Sequence, residues 1–215
     1  MTLGSALLVI VASFLHASWN ILAKRAADVG PVFVFAYTLV ACIAYAPWVA
    51  YVLATSSVAW SAEGLLFILL SGLIHLGYSL CLQQGYRLAD LSVVYPVARG
   101  TGPMLSTIGA LLLLSEVPTL ASLAGLLLVV AGIGLIATHG DLAAFRQPRA
   151  QAGVRWGTMT GGLIALYTVV DAYAVKIVGL GPVVLDWFAN LVRVIALAPI
   201  VLKGPRKALA PMRGH

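Results

Sequence analysis

The feature that most constrains this chain is a recurrence of apolar runs about twenty residues long, separated by brief polar connections. They are expected over about 3–23, 31–53, 64–86, 91–114, 119–138, 157–178 and 183–202. A helix of about 20 residues rises about 30 Å, the thickness of a bilayer's hydrocarbon core. Composition agrees: 61% of the 215 residues are hydrophobic and 9% charged, against about 25% charged in soluble domains, and mean hydropathy is +1.01. So few charges cannot cover a surface in water. The fold expected is an all-α integral membrane protein with seven transmembrane helices.

Several other classes fall away on the same residues. Cys42 and Cys81 both lie inside apolar runs and read as small packing residues, since no stretch has metal-ligand spacing. No cofactor is expected. The N-terminus, MTLGSALLVIVASFLHASWN, has no basic leader region and reads as a retained span. The net charge of +6 does not imply a nucleic-acid partner, because the basic residues cluster at span ends. With the spans as drawn, one side of the membrane receives Lys24, Arg25, Arg87, Arg146, Arg149, Arg155, Lys203, Arg206, Lys207 and Arg213, and the other Lys176. By the positive-inside rule the basic C-terminal tail is cytoplasmic and the N-terminus lies outside.

Two segments repeat. GPVFVFAYTLVACIAYAPW at 30–48 and GPVVLDWFANLVRVIALAPI at 181–200 both open on Gly-Pro and close on Ala-Pro. Upstream, HASWNILAK at 16–24 faces YTVVDAYAVK at 167–176. Five spans separate the copies, an odd number, so the copies cross the bilayer in opposite senses. Inverted repeats are a common construction of alternating-access transporters. The expected organisation is a first five-helix repeat over 1–140, a basic connecting loop over 141–156, and the start of a second repeat over 157–215. By the repeat logic a complete second half would need roughly 80–90 further residues, so the chain reads as one full repeat and two helices of another.

The segments HASWN at 16–20, DLSVVYPVARGTGPML at 90–105 and LLLLSEVPTLASLAGLLLVVAGIGLI at 111–136 resemble the EamA-type branch of the drug/metabolite transporter superfamily. The resemblance implies a ten-helix pair of inverted repeats that moves small metabolites, often exporting amino acids or related compounds across a cell membrane. The alternatives are a partial chain that transports only with another copy or a further segment, and a membrane-embedded enzyme. The enzyme reading has no HExxH, GxSxG or clustered carboxylate pair behind it. A seven-helix photoreceptor would need a mid-membrane Lys in the seventh span, and there is none.

Polar side chains within spans are costly and usually face the bundle interior or a wet cavity. His16 and Asn20 share a helical face, and Tyr167 and Asp171 occupy the matching positions of the repeat. They either form interhelical hydrogen bonds or line a substrate cavity, and His16 or Asp171 could carry a proton. His75, Ser79 and Gln83 form a stripe on the third span, with Tyr78 alongside. In VVYPVARGTGP at 93–103, Pro96, Gly100, Gly102 and Pro103 surround Arg99, so the backbone is expected to open there. Arg99, with Tyr95 on its face, either anchors an anionic or zwitterionic substrate or pairs with Asp171. Asp186, Asn190 and Arg193 form a stripe on the seventh span and read as a structural network. The small residues at 125, 131, 132 and 134 read as a packing surface, and Glu116 and Pro118 as a turn and helix start. The expected substrate-binding set is Arg99, Asn20, Asp171, Tyr95, His16, His75 and Tyr78. The expected partners are a small-molecule substrate and the lipid bilayer, with proton coupling and a homodimer as further expectations.

Overall fold

The structure, a computed structural model, describes residues 3–56, 58, 60–114, 119–138 and 147–202. The turn at 115–118 with Glu116 and Pro118, the loop over 139–146 and the basic tail after 202 lie outside the described residues. Among the described residues seven α-helices run in chain order: α1 Leu3–Arg25, α2 Pro31–Thr55, α3 Ala62–Leu88, α4 Leu91–Leu114, α5 Leu120–Thr138, α6 Pro148–Lys176 and α7 Pro182–Leu202. No strand is present among the described residues. The protein is thus an α-helical membrane protein.

Five of these helices, α1, α2, α3, α6 and α7, are long and apolar enough to cross a bilayer. The helix expected from 157 starts at Pro148, inside the stretch expected to be a connecting loop. Pro148 occupies the first turn of α6, where its missing N–H costs nothing. At 29 residues α6 is about 43 Å long, so its polar first turns extend past the hydrocarbon.

Alpha4 and α6 make the tightest pairing. Gly153, Gly157 and Gly161 recur every four residues along α6, and Val93, Val97 and Thr101 recur every four along α4. A Cβ on Gly157 would lie 2.8 Å from Val97 Cβ, and one on Gly161 2.6 Å from Thr101 Cβ. Only glycine allows this approach, the small-residue packing that joins helices where lipid supplies no hydrophobic drive. Alpha6 packs next on α3, α3 on α7, and α7 on α2. A second close approach joins α3 to α7, where a Cβ on Gly72 would lie 2.9 Å from Ala189 O. Alpha5 rests on α4 through Ile133, which lies against Gly100, Val93 and Val97. A Cβ at Gly125 or Gly132 would meet nothing, so these two glycines do not mark a close helix approach. Alpha1 lies at the edge of the bundle.

Alpha4 stays helical through Pro96 and Pro103. The opening expected there does not occur, because α6 clamps this stretch: Gly102 N lies 3.0 Å from where a Gly161 Cβ would sit. Neighbouring helices commonly hold a proline-containing span in this way. One end of the bundle collects basic side chains. Lys24 Nζ donates to Tyr86 O, and to Ala89 O at 2.6 Å, capping the last turn of α3 with a positive charge. At the same end Arg87 faces Asp28 at 3.7 Å and Arg149 bonds Asp90 at 2.9 Å.

Candidate functional site

A cavity of about 140 Å³ lies between α3, α6 and α7. Its polar lining comes from helical rows one turn apart: Ser71 and His75 of α3, Asp171 of α6, and Asp186, Asn190 and Arg193 of α7. Val175, Pro182, Leu185 and Ala189 complete it. Sites for drug-sized ligands run to about 300–1,000 Å³, so this space suits a compact polar solute.

His75 is the hinge of the cavity's chemistry. Its Nδ1 lies 3.0 Å from the backbone oxygen of Ser71, which can only accept, so Nδ1 carries the proton. The ring stacks on Tyr167 with centroids 4.1 Å apart, and its Nε2 faces Asp171 Oδ2 at 3.8 Å. With Nδ1 protonated, imidazole and carboxylate attract each other only when one further proton resides on the pair. At 3.8 Å the two groups face each other without a hydrogen bond between them. The other Asp171 oxygen, Oδ1, is buried without a partner.

Across the cavity Arg193, 8% exposed, is held on all sides. It donates to Asn190 Oδ1 at 2.7 Å, Tyr37 Oη at 2.7 Å and Ser79 Oγ at 2.8 Å. Asn190 in turn donates to Asp186 O at 3.0 Å and Oδ2 at 3.1 Å. The stripe read as a structural network is one, and it is also a wall of the cavity. Arg193 Nε has no partner and is buried. A buried polar group left unpaired costs about 1–3 kcal/mol, which a ligand bonding to it would recover.

Arg99 belongs to a second cluster. Its Nη2 donates to His16 Nε2 at 2.8 Å, and its guanidinium lies 5.5 Å from the Tyr95 ring centroid. His16 and Tyr95 rings are 6.1 Å apart. Because a guanidinium only donates, His16 accepts and is neutral in this contact. Arg99 thus pairs with His16 and not with Asp171. Asn20, 5% exposed, accepts from Tyr86 Oη at 2.7 Å and donates to His16 O at 2.7 Å, so its amide is fully engaged. Tyr78 packs edge-on against Tyr167 with ring centroids 5.6 Å apart.

Of the seven residues expected to bind substrate, His75 and Asp171 line the cavity, and Tyr78 borders its wall through Tyr167. Arg99, His16, Tyr95 and Asn20 do not line it; Arg99 and His16 are hydrogen-bonded to each other, and Asn20 bonds Tyr86 and the His16 backbone. The cavity residues outside that set are Ser71, Asp186, Asn190 and Arg193. The signal for three of them was the polar i, i+4, i+7 row on α7. What the row faces was not legible, because the pairing of α7 with α3 rests on Gly72, a residue unremarkable in sequence.

No curated protein and no solved structure matches the chain. The model of the EamA-like transporter family matches residues 3–138, well over half of the chain. That family is one of transporters and not of enzymes. With its membrane-length helices, its polar interior and this match, the chain belongs to the EamA-like transporter family.

Proposed function

We propose that the protein is a secondary transporter that exports a small polar metabolite, an amino acid or related zwitterion, by way of the α3–α6–α7 cavity. The observation that carries this reading is the cavity's lining. Asp171 and Asp186 offer acceptors for an ammonium group and Arg193 offers donors for a carboxylate, in a space of about 140 Å³. Asp186 also lines a cleft of about 310 Å³ between α2 and α7, a continuation toward the less basic end. Arg99, His16, Tyr95, Asn20 and Tyr78 border the approach from α1 and α4. Coupling to protons runs through the His75–Asp171 pair, two titratable groups 3.8 Å apart on the cavity wall. Export is the direction the family resemblance implies, and the basic end faces the cytoplasm of a cell membrane by the positive-inside rule.

The inverted repeat belongs to the same reading. Alpha1 and α6 each lead through a five-residue turn, 26–30 and 177–181, into a helix that begins with proline. Each turn holds one glycine of positive φ, Gly30 at 58° and Gly179 at 79°. The second repeat then starts at α6. Pairing of two copies is compatible with the exposed apolar side chains of α1, among them Leu8, Phe14 and Leu15.

Counterflow in proteoliposomes tests the proposal. The purified chain is reconstituted, the vesicles are loaded with single amino acids, and exchange of a labelled one is followed. Losing a charge-assisted hydrogen bond of about 1.5–3 kcal/mol in Asp171→Asn or Asp186→Asn lowers exchange about tenfold or more, with the variants inserted normally. Exchange unchanged in both variants would remove the cavity from the pathway, and no exchange of any small zwitterion would contradict the transport reading itself.

A further inference from the structure

A second opening lies at the basic end of the bundle, between the α1–α2 turn, α3 and α6. It is a cleft of about 530 Å³. At its base are two buried polar atoms of opposite character, neither with a partner: the Gln83 Oε1 acceptor and the Trp156 Nε1 donor. Gln83 is 5% exposed and shares no hydrogen bond with its neighbours, although such groups are nearly always paired. Leu80, Val29, Pro31 and Met159 form apolar walls. At the rim stand Arg87 and Asp28, 3.7 Å apart and both exposed, a loose pair that a ligand can enter at little cost.

The lining specifies a ligand that carries an anionic oxygen and N–H donors on a cation, together with an apolar body. We propose that this cleft binds a phospholipid with a primary-ammonium headgroup. The phosphate meets Arg87. The ammonium donates to Asp28 and the Gln83 carbonyl, and an ester carbonyl accepts from the Trp156 indole. The acyl chains follow the apolar walls into the surrounding bilayer. The position supports a lipid over a free zwitterion. The cleft is at the end of the bundle where Lys24, Arg87 and Arg149 mark the headgroup level, and tryptophan is at home there with its N–H turned to polar lipid groups. A quaternary ammonium has no N–H for Gln83 or Asp28, and a glycerol headgroup has no cation for Asp28.

Native mass spectrometry of the purified chain in detergent, with phosphatidylethanolamine, phosphatidylcholine or phosphatidylglycerol added in turn, tests this. Phosphatidylethanolamine is expected to be retained best. Trp156→Phe and Gln83→Leu are each expected to lower its retention about 3- to 10-fold, the worth of one hydrogen bond. Where a variant does not fold, Arg87→Gln on the rim is expected to cause the same loss. Equal retention of the three lipids, or an unchanged preference in the variants, would overturn the proposal. Displacement by soluble phosphoethanolamine at equal concentration would assign the cleft to a free zwitterion and overturn the lipid occupant.

Discussion

Lys24 shows how much a single side chain can do at the edge of a membrane. The last carbonyls of any helix lack intrahelical donors, those of α3 among them. The Lys24 ammonium reaches across from α1 to Tyr86 O and Ala89 O, satisfies them, and lies at the negative end of the α3 dipole. This is the contact that ties an otherwise lightly packed α1 to the bundle, next to the Asn20–Tyr86 bond. Lys24→Met keeps the apolar stem and removes the donors. It is expected to destabilise the chain by about 1.5–3 kcal/mol, the worth of hydrogen bonds to a charged group, in thermal unfolding in detergent. An unchanged midpoint would mean that the α3 terminus is satisfied without Lys24. Sequence reading saw Lys24 as one of many basic flanking residues. Its role needs the distance from α1 to the end of α3, which no local pattern encodes.

At the scale of elements, the glycine row of α6 decides where α4 sits, and with it the position of Arg99. Gly161→Ala would drive a methyl group to 2.6 Å from Thr101 Cβ and 3.0 Å from Ala98 O, a backbone atom that cannot step aside. The next residue provides the control, because a Cβ at Gly162 meets nothing. Gly161→Ala is expected to cost about 1–3 kcal/mol of stability by overpacking, while Gly162→Ala has no such penalty. Equal unfolding midpoints for the two variants would show that the seam is looser than these distances. The helices themselves were largely legible: apolar runs placed all seven within a few residues, save the start of α6. There the polar residues Arg149, Gln151 and Arg155 masked a helix that emerges from the hydrocarbon. The Gly153–Gly157–Gly161 row begins inside that masked segment, so the strongest helix–helix contact went unread. The prolines of α4 misled in the other direction, since a helix clamped by a neighbour tolerates what an isolated one would not.

Across the whole molecule, His75, Asp171 and the α7 row form one polar cluster and Arg99, His16 and Tyr95 another, and the sort follows from the order of packing. Alpha6 touches both α4 and α3, and α3 touches α7, so Asp171 of α6 meets His75 of α3 and the α7 row and leaves Arg99 to His16. Sequence reading takes the polar residues to face the bundle interior, because the cost of a charge in lipid leaves little choice. It could not pair them, because pairing depends on helix neighbours rather than on helix faces. The central claim is that the transported solute occupies the α3–α6–α7 cavity. Val175 lines it and is close to cysteine in size. With Cys42 and Cys81 replaced by alanine, Val175→Cys would be treated with a small thiol reagent in proteoliposomes while solute exchange is recorded. The account predicts that the transported solute slows modification and that the modified protein no longer exchanges. Undiminished exchange with the cavity filled by the adduct would contradict it.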